Sequence, residues 1–204
     1  MENNTQLKEM IRSMVIDILQ GQKQEMASSQ PIKQAPRGQV EPGVFDTVDE
    51  AIQAAKAAQA RFEDCTLATR EKVIADIRAA MRPRVQELAQ KTVDETGMGR
   101  VADKVLKLNL TLNKTPGVED LVTECETGDN GMTLYELSAY GVIGAITPST
   151  NPAETLICNS IGMLAAGNAI FFSVHPGAKN LSRELVSELN QVIAKSIGIE
   201  NLIV

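Results

Sequence analysis

The sequence predicts an α/β fold in which several amphipathic helices lead into a parallel βαβαβ unit, all preceded by a separate helix on a tether. Three observations carry that prediction. Apolar residues recur at helical spacing across residues 47–113. From residue 141 onward, short continuous apolar runs alternate with helical patterns. A Pro- and Gln-rich stretch at residues 21–43 separates both regions from the N-terminal twenty residues. At 204 residues the chain holds one large domain or two small ones, and its 43% hydrophobic content supports a packed core.

In order along the chain, residues 1–20 form an amphipathic helix. Leu7, Met10, Ile11, Met14, Val15, Ile18 and Leu19 recur at three- and four-residue steps, while Lys8, Glu9, Arg12, Ser13 and Asp17 fall opposite. Residues 21–43 have almost no apolar periodicity and read as a flexible linker spanning on the order of 25 Å. Residues 44–204 then form the folded part. Thr47 and Glu50 suggest a capping box for a helix to Phe62, and Thr69 opens a second to Met81. Pro83 breaks or kinks the next segment, a third helix runs to Glu95, and a fourth occupies Ala102–Asn113. Residues 118–131 read as loop, and Met132–Leu137 as a strand.

The βαβαβ unit comprises a strand at Gly141–Thr147, a helix at Ala153–Ala166, a strand at Asn168–Val174, a helix at Asn180–Ile197, and a strand beginning at Asn201. The Gly141–Thr147 run has the continuous apolar character of a strand buried on both faces. Parallel crossovers place Thr147-Pro148 and Val174-His175 along one sheet edge, where open α/β sheets bind ligands. A three-stranded sheet ending in an apolar edge is poorly protected, so the chain is expected to be the front part of something longer.

Composition excludes several function classes. The formal net charge of −6 and the absence of Trp disfavour a nucleic-acid surface. No apolar run of about 18 residues marks a membrane span, and nothing resembles a signal peptide. Cys65, Cys125 and Cys158 are odd in number and widely spaced, which suits neither a disulfide framework nor a metal site and points to the reducing cytosol. Cys158 lies in an apolar helix, Cys65 lies between helices, and Cys125 is flanked by Glu124 and Glu126. All three are expected to be structural.

Two segments could carry chemistry. In Thr147-Pro148-Ser149-Thr150-Asn151-Pro152, polar side chains precede a helix N-terminus, a setting that suits an oxyanion or another anion. The competing role for Thr150 and Asn151 is to cap the helix, with Pro152 at its first position. His175-Pro176-Gly177-Ala178-Lys179 holds the only histidine, which lacks companions for a metal site and is otherwise a loop or capping residue. There is no GxGxxG fingerprint.

Seven segments resemble one family: ETGMGR (Glu95–Arg100), Asp103-Lys104, TPGVEDL (Thr115–Leu121), TGDNGMTLYE (Thr127–Glu136), YGVIGAITPSTNPAET (Tyr140–Thr155), NSIGMLAAGNAIFFS (Asn159–Ser173) and HPGAK (His175–Lys179). Together they are similar to the N-terminal part of the CoA-acylating aldehyde dehydrogenases of propanediol and ethanolamine utilisation, enzymes packaged in bacterial microcompartments. The resemblance covers about residue 44 onward, and residues 1–20 are similar to the encapsulation peptide of such enzymes.

The resemblance implies an aldehyde-dehydrogenase-like fold with a Rossmann-like sheet. It implies conversion of acetaldehyde or propionaldehyde, CoA and NAD to acyl-CoA and NADH through a cysteine thiolate. Asn151 matches the family's asparagine that holds the tetrahedral oxyanion, although hydrolytic relatives carry Pro-Trp-Asn-x-Pro, and without a gap Thr150 takes the asparagine column. Thr147, Pro148, Ser149 and Thr150 then line the cofactor. His175, Pro176 and Gly177 line an adenine pocket visited in turn by NAD and CoA. Hydrolytic relatives place a Lys and a Glu after the second strand. Ser173-Val174-His175-Pro176 has no acid, so nothing repels a 2′-phosphate and NADP is not excluded.

None of the three cysteines matches the family nucleophile, which implies that the chain alone is an inactive portion of an enzyme that is a homo-oligomer when complete. A shell or cargo protein is the implied partner of residues 1–20, within a microcompartment in the bacterial cytoplasm. The alternative is a non-catalytic targeting module acting through that helix, whose apolar stripe needs a partner.

Overall fold

A computed structural model describes residues 41–204. The helix expected at residues 1–20 and nearly all of the linker at 21–43 lie outside the described residues. The elements are α1 (Val48–Glu63), α2 (Leu67–Met81), α3 (Val85–Thr96), α4 (Val101–Lys114), β1 (Glu124–Gly128), β2 (Gly131–Tyr135), β3 (Val142–Ile146), α5 (Pro152–Ala165), β4 (Ala169–Ser173) and α6 (Lys179–Ile197).

Local chemistry sets most of the boundaries. Thr47 caps α1 by accepting from the Glu50 amide. The second cap is Thr66, not Thr69: the Thr66 hydroxyl accepts from the Thr69 amide, so α2 starts at Leu67, one turn before the expected start. Pro83 lies in a single 3-10 turn (Arg82–Arg84), which redirects the chain between α2 and α3. Gly97 ends α3 in the left-handed region at φ 67°, where a side chain would be strained.

Residues 118–131 are more ordered than the expected loop. Val118–Asp120 forms a 3-10 turn, and Glu124–Gly128 is a strand paired antiparallel with Gly131–Tyr135 across the Asp129-Asn130 turn. The reason is turn chemistry: Asp-Asn between two glycines is a two-residue hairpin signal that outweighs the poor strand propensity of Glu and Gly.

The βαβαβ order holds. β3 pairs parallel with β4 from Val142↔Ala169 to Ile146↔Ser173, and residues after α6 return to β4 through the Ile170↔Ile203 bridge. Backbone bonds from Ile170 to Leu202 and from Phe172 to Val204 extend that contact. Two buried asparagines lock these joins. Asn168 Oδ1 accepts from the amides of Tyr140 and Gly141 at the entry to β3. Asn190 donates to the Ile203 carbonyl and accepts from the Asn201 amide.

β3 departs from the expected strand covered on both faces. Ala145 is buried, but Gly144 and Ile146 face solvent, with Ile146 85% exposed. A continuous apolar run shows that a strand can be buried twice, and the surrounding elements decide whether it is. The core instead forms where α1, α2 and α5 meet β4, around Phe62, Ile77, Leu156, Ile157, Ile161 and Ile170.

An ion-pair network joins α3 to α6. Arg84 reaches Glu87 at 2.6 Å, Glu184 at 2.8 Å and also Glu188, while Lys91 reaches Glu87 at 2.7 Å and Glu184 at 2.6 Å. Hydrogen bonds from Arg84 and then Lys91 pull the Glu87 carboxyl down from 4.5 to about 2, and Lys91 likewise lowers Glu184. Because the folded values are depressed, the network stabilises the fold above pH 4.5 and stops doing so as the pH falls towards about 2. The denaturant midpoint is therefore expected to drop across that window. A Glu87→Gln variant should lose less over the same range, and equal losses in urea titrations at several pH values would refute the assignment.

Candidate functional site

β3 ends at Ile146, and the Thr147 amide donates to the Ser173 carbonyl at 3.1 Å, which aligns the carboxyl ends of the two parallel strands. Pro148 and Pro152 stiffen the turn between β3 and α5. Asn151 occupies the N-cap position at φ −142°, ψ 59°, yet its side chain makes no capping bond. The amide is engaged elsewhere. Asn151 Oδ1 accepts from Lys104 Nζ at 3.1 Å and from Lys107 Nζ at 3.0 Å, both on α4, while Nδ2 donates to the Thr150 hydroxyl at 3.5 Å and keeps its second N–H for another acceptor.

α4 is placed for this contact by the ETGMGR segment. Gly97 and Gly99 both adopt positive φ, turning the chain sharply between α3 and α4, and a Cβ on Gly99 would sit 3.3 Å from Lys104 Cε. Lys104 follows on the face of α4 that also buries Leu108 and Leu112, and it is itself only 3% exposed. Its ammonium group donates to the Thr150 carbonyl and pairs with Glu154 at 3.6 Å. Asp103 turns outward to Arg100 at 2.7 Å. A cleft of about 520 Å³ opens here, bordered by Met98, Arg100, Lys107, Thr150 and Asn151.

The second edge segment is built differently. His175 Nδ1 accepts from the Gly177 amide at 3.0 Å and caps a 3-10 turn at Pro176–Ala178, so the histidine has the capping role. The first amides of α6, those of Asn180 and Leu181, donate to the Glu95 carboxylate at 2.7 Å each. The N-terminus of α6 is thereby satisfied by a protein anion, whereas α5 has no side-chain cap.

Thr150 and Asn151 come together at the cleft, with the Asn151 amide 3.5 Å from the Thr150 hydroxyl. Thr147, Pro148 and Ser149 lie along the turn leading to it, with Ser149 Oγ 3.8 Å from Met98 Sδ. His175, Pro176 and Gly177 do not border this cleft. Neither does any cysteine. Cys125 and Cys158 are exposed and Cys65 is half-buried, so the apolar sequence around Cys158 does not bury its thiol. Among the described residues no cluster of His, Cys, Asp and Glu could hold a metal ion, and no helix is long and apolar enough to cross a membrane.

Sequence reasoning missed the roles of Lys104, Lys107, Glu95 and Glu154. For Lys104 there was a signal: a lysine four residues before Leu108 and eight before Leu112 sits on an apolar helix stripe, where a charge requires a buried partner.

Comparison with known proteins places these features. The model of the aldehyde dehydrogenase family matches residues 18–192. The chain belongs to the aldehyde dehydrogenase family. This aldehyde dehydrogenase chain is 45% identical over 202 residues to a propanal dehydrogenase (CoA-propanoylating) of Salmonella typhimurium (strain LT2), covering 99% of this chain and 41% of that protein. It is 47% identical over 164 residues to an acetaldehyde dehydrogenase (acetylating) of Escherichia coli (strain K12), covering 80% of this chain and 35% of that protein.

A solved propionaldehyde dehydrogenase from the Clostridium phytofermentans fucose utilisation bacterial microcompartment superposes with a TM-score of 0.77 at 47% identity. That match covers 80% of this chain and 38% of the other. Two further solved structures of similar likeness hold NADP+ and CoA respectively. The similarity of this aldehyde dehydrogenase is therefore to the N-terminal portion of CoA-acylating members, and the chain spans well under half the length of those relatives.

Proposed function

We propose that this chain is the N-terminal, cofactor-side portion of an enzyme that converts acetaldehyde or propionaldehyde, CoA and NAD to acyl-CoA and NADH. The observation that carries the reading is the Asn151 amide. It lies just past the carboxyl edge of β3, is free of any capping duty, and has its oxygen held by two lysines, so that Nδ2, with one N–H towards the Thr150 hydroxyl, has a second N–H to donate. When a thiolate adds to an aldehyde carbon, the carbonyl oxygen takes up a full negative charge, and a fixed N–H donor stabilises that charge more than it stabilises the neutral aldehyde. The nearby cations add to the effect.

The edge also suits a dinucleotide. Thr147 Oγ1 is buried with no hydrogen-bond partner among the described residues, at the end of a strand where open α/β sheets bind nucleotides. Thr147, Pro148, Ser149 and Thr150 would hold the nicotinamide end, and the exposed His175-Pro176-Gly177 turn the adenine end, shared in turn with CoA. A bound NAD or NADP supplies the hydride acceptor. No acid stands in Ser173-Val174-His175-Pro176 to select against a 2′-phosphate.

The thiolate itself comes from sequence outside residues 1–204, a reading supported by the absence of all three cysteines from the cleft. The complete enzyme is then a homo-oligomer in the bacterial cytoplasm, inside a microcompartment and docked to a shell or cargo protein through residues 1–20. The microcompartment origin of a structural relative supports that placement. The test offers propionaldehyde or acetaldehyde, CoA and NAD to two proteins, the 204-residue chain and an enzyme in which it is joined to the remainder of an acylating fold. NADH is expected from the joined enzyme only. NADH from the chain alone would overturn the external thiolate, and none from either protein would overturn the activity.

A further inference from the structure

We infer that Lys104 is a positioning residue that sets the orientation and donor strength of the Asn151 amide. The inference rests on the reading of Asn151 as an oxyanion donor. Lys104 is the one buried cation among the described residues, at 3% exposure. An apolar side chain there would complete the α4 stripe with Leu108 and Leu112 and avoid the desolvation of an ammonium group. What the charge does in exchange is visible in its partners. They lie in a single turn of chain: the Thr150 carbonyl, Asn151 Oδ1 at 3.1 Å and the Glu154 carboxylate at 3.6 Å. The ammonium donates to the first two and faces the carboxylate as its ion-pair partner.

The consequence for Asn151 is geometric and electronic. A carboxamide is planar, so holding Oδ1 towards α4 turns Nδ2 away from it. Because Lys104 also binds the backbone carbonyl just before Asn151, the side chain and its backbone are fixed by one group. A positive charge at the oxygen draws electron density through the amide and makes Nδ2–H a stronger donor. Lys107 reaches the same oxygen at 3.0 Å, but from the exposed face of α4, where solvent weakens its hold. The turn that carries the donor is therefore organised from α4, and the ETGMGR glycines that start α4 belong to the same device.

The test uses Lys104→Met together with Glu154→Gln, so that no buried carboxylate is left alone, and Lys104→Arg as the conservative variant. In the 204-residue chain, the Asn151 side-chain amide is followed by ¹⁵N NMR, with its signals identified by their loss in Asn151→Asp. The double variant is expected to shift those signals and speed their exchange with water, and Lys104→Arg to leave them near their original positions. Unchanged signals in the double variant would overturn the inference.

In the complete acylating enzyme, the double variant is expected to lower kcat by about 10- to 100-fold, less than full loss of the donor, with KM changed by about twofold or less. Lys104→Arg should recover most of that activity. Added to Asn151→Ala, the double variant should cost nothing further, because the group it positions is gone. A loss that adds in full would assign Lys104 to something else. If Asn151→Ala alone leaves kcat intact, the oxyanion reading falls, while the NMR result still decides whether Lys104 sets the amide.

Discussion

Asn151→Ala is expected to lower kcat of the acylating enzyme by roughly 10²- to 10³-fold, the loss seen when one oxyanion donor is removed. The structure separates this from a helix-capping effect. An asparagine that caps a helix loses about 1 kcal/mol of stability on replacement by alanine, but Asn151 makes no capping bond to α5. What alanine removes in stability terms is one acceptor for Lys104 and one for Lys107, and Lys104 keeps Thr150 and Glu154. The fold should therefore lose about 1 kcal/mol or less while turnover collapses. Urea unfolding of the variant chain, set beside kcat of the variant enzyme, checks both parts. An unchanged kcat would leave the amide without a part in the chemistry, and a large loss of stability would show that the turn depends on it structurally.

Lys104→Met on its own is expected to destabilise the chain by about 3–5 kcal/mol, the penalty for leaving a buried charge without its partner. Other contributions are too small to produce such a loss. Lysine and methionine differ little in helix propensity, and methionine suits the apolar stripe that Leu108 and Leu112 define. The cost comes from Glu154, which is 7% exposed, has neither carboxylate oxygen hydrogen-bonded among the described residues, and has Lys104 as its ion-pair partner at 3.6 Å. Adding Glu154→Gln should recover most of the loss, since a neutral amide costs far less to bury than a lone carboxylate. Denaturant midpoints of the single and double variants measure this. If Lys104→Met loses under about 1 kcal/mol, the pair does not hold Glu154 in place.

Much of the fold was legible because it rests on local rules. The spacing of Ala51, Ala55, Ala58 and Phe62 identifies α1 and its buried face, and Thr47 marks where it begins. The apolar runs at Val142–Ile146 and Ala169–Ser173, separated by a helical stretch, identify a parallel pair. The β1 strand was hidden because Glu124, Glu126 and Gly128 are poor strand formers. Only the pairing with Gly131–Tyr135 makes an extended segment there favourable.

At the site, the PSTNP turn was recognisable from its residue types, but its meaning was open between a cap and a donor. Residues more than forty positions away decide between them. Asn151 could cap α5 only if its oxygen were free, and Lys104 and Lys107 occupy it. Likewise the HPGAK turn offers helix amides on paper, yet Glu95, from the end of α3, has taken them.

The element order, the parallel sheet edge that carries the turn, and membership in the aldehyde dehydrogenase family are all written in the order of the amino acids. Periodicity, caps and turn residues act within a few positions of one another, so one chain segment is enough to read them. Which polar groups remain available at that edge is a matter of tertiary packing. Availability depends on which side chains from distant elements reach each donor and acceptor first. At α5 two lysines reach the asparagine oxygen, the Thr150 hydroxyl takes one N–H of its amide, and the other N–H is left. At α6 a glutamate takes the amides of Asn180 and Leu181.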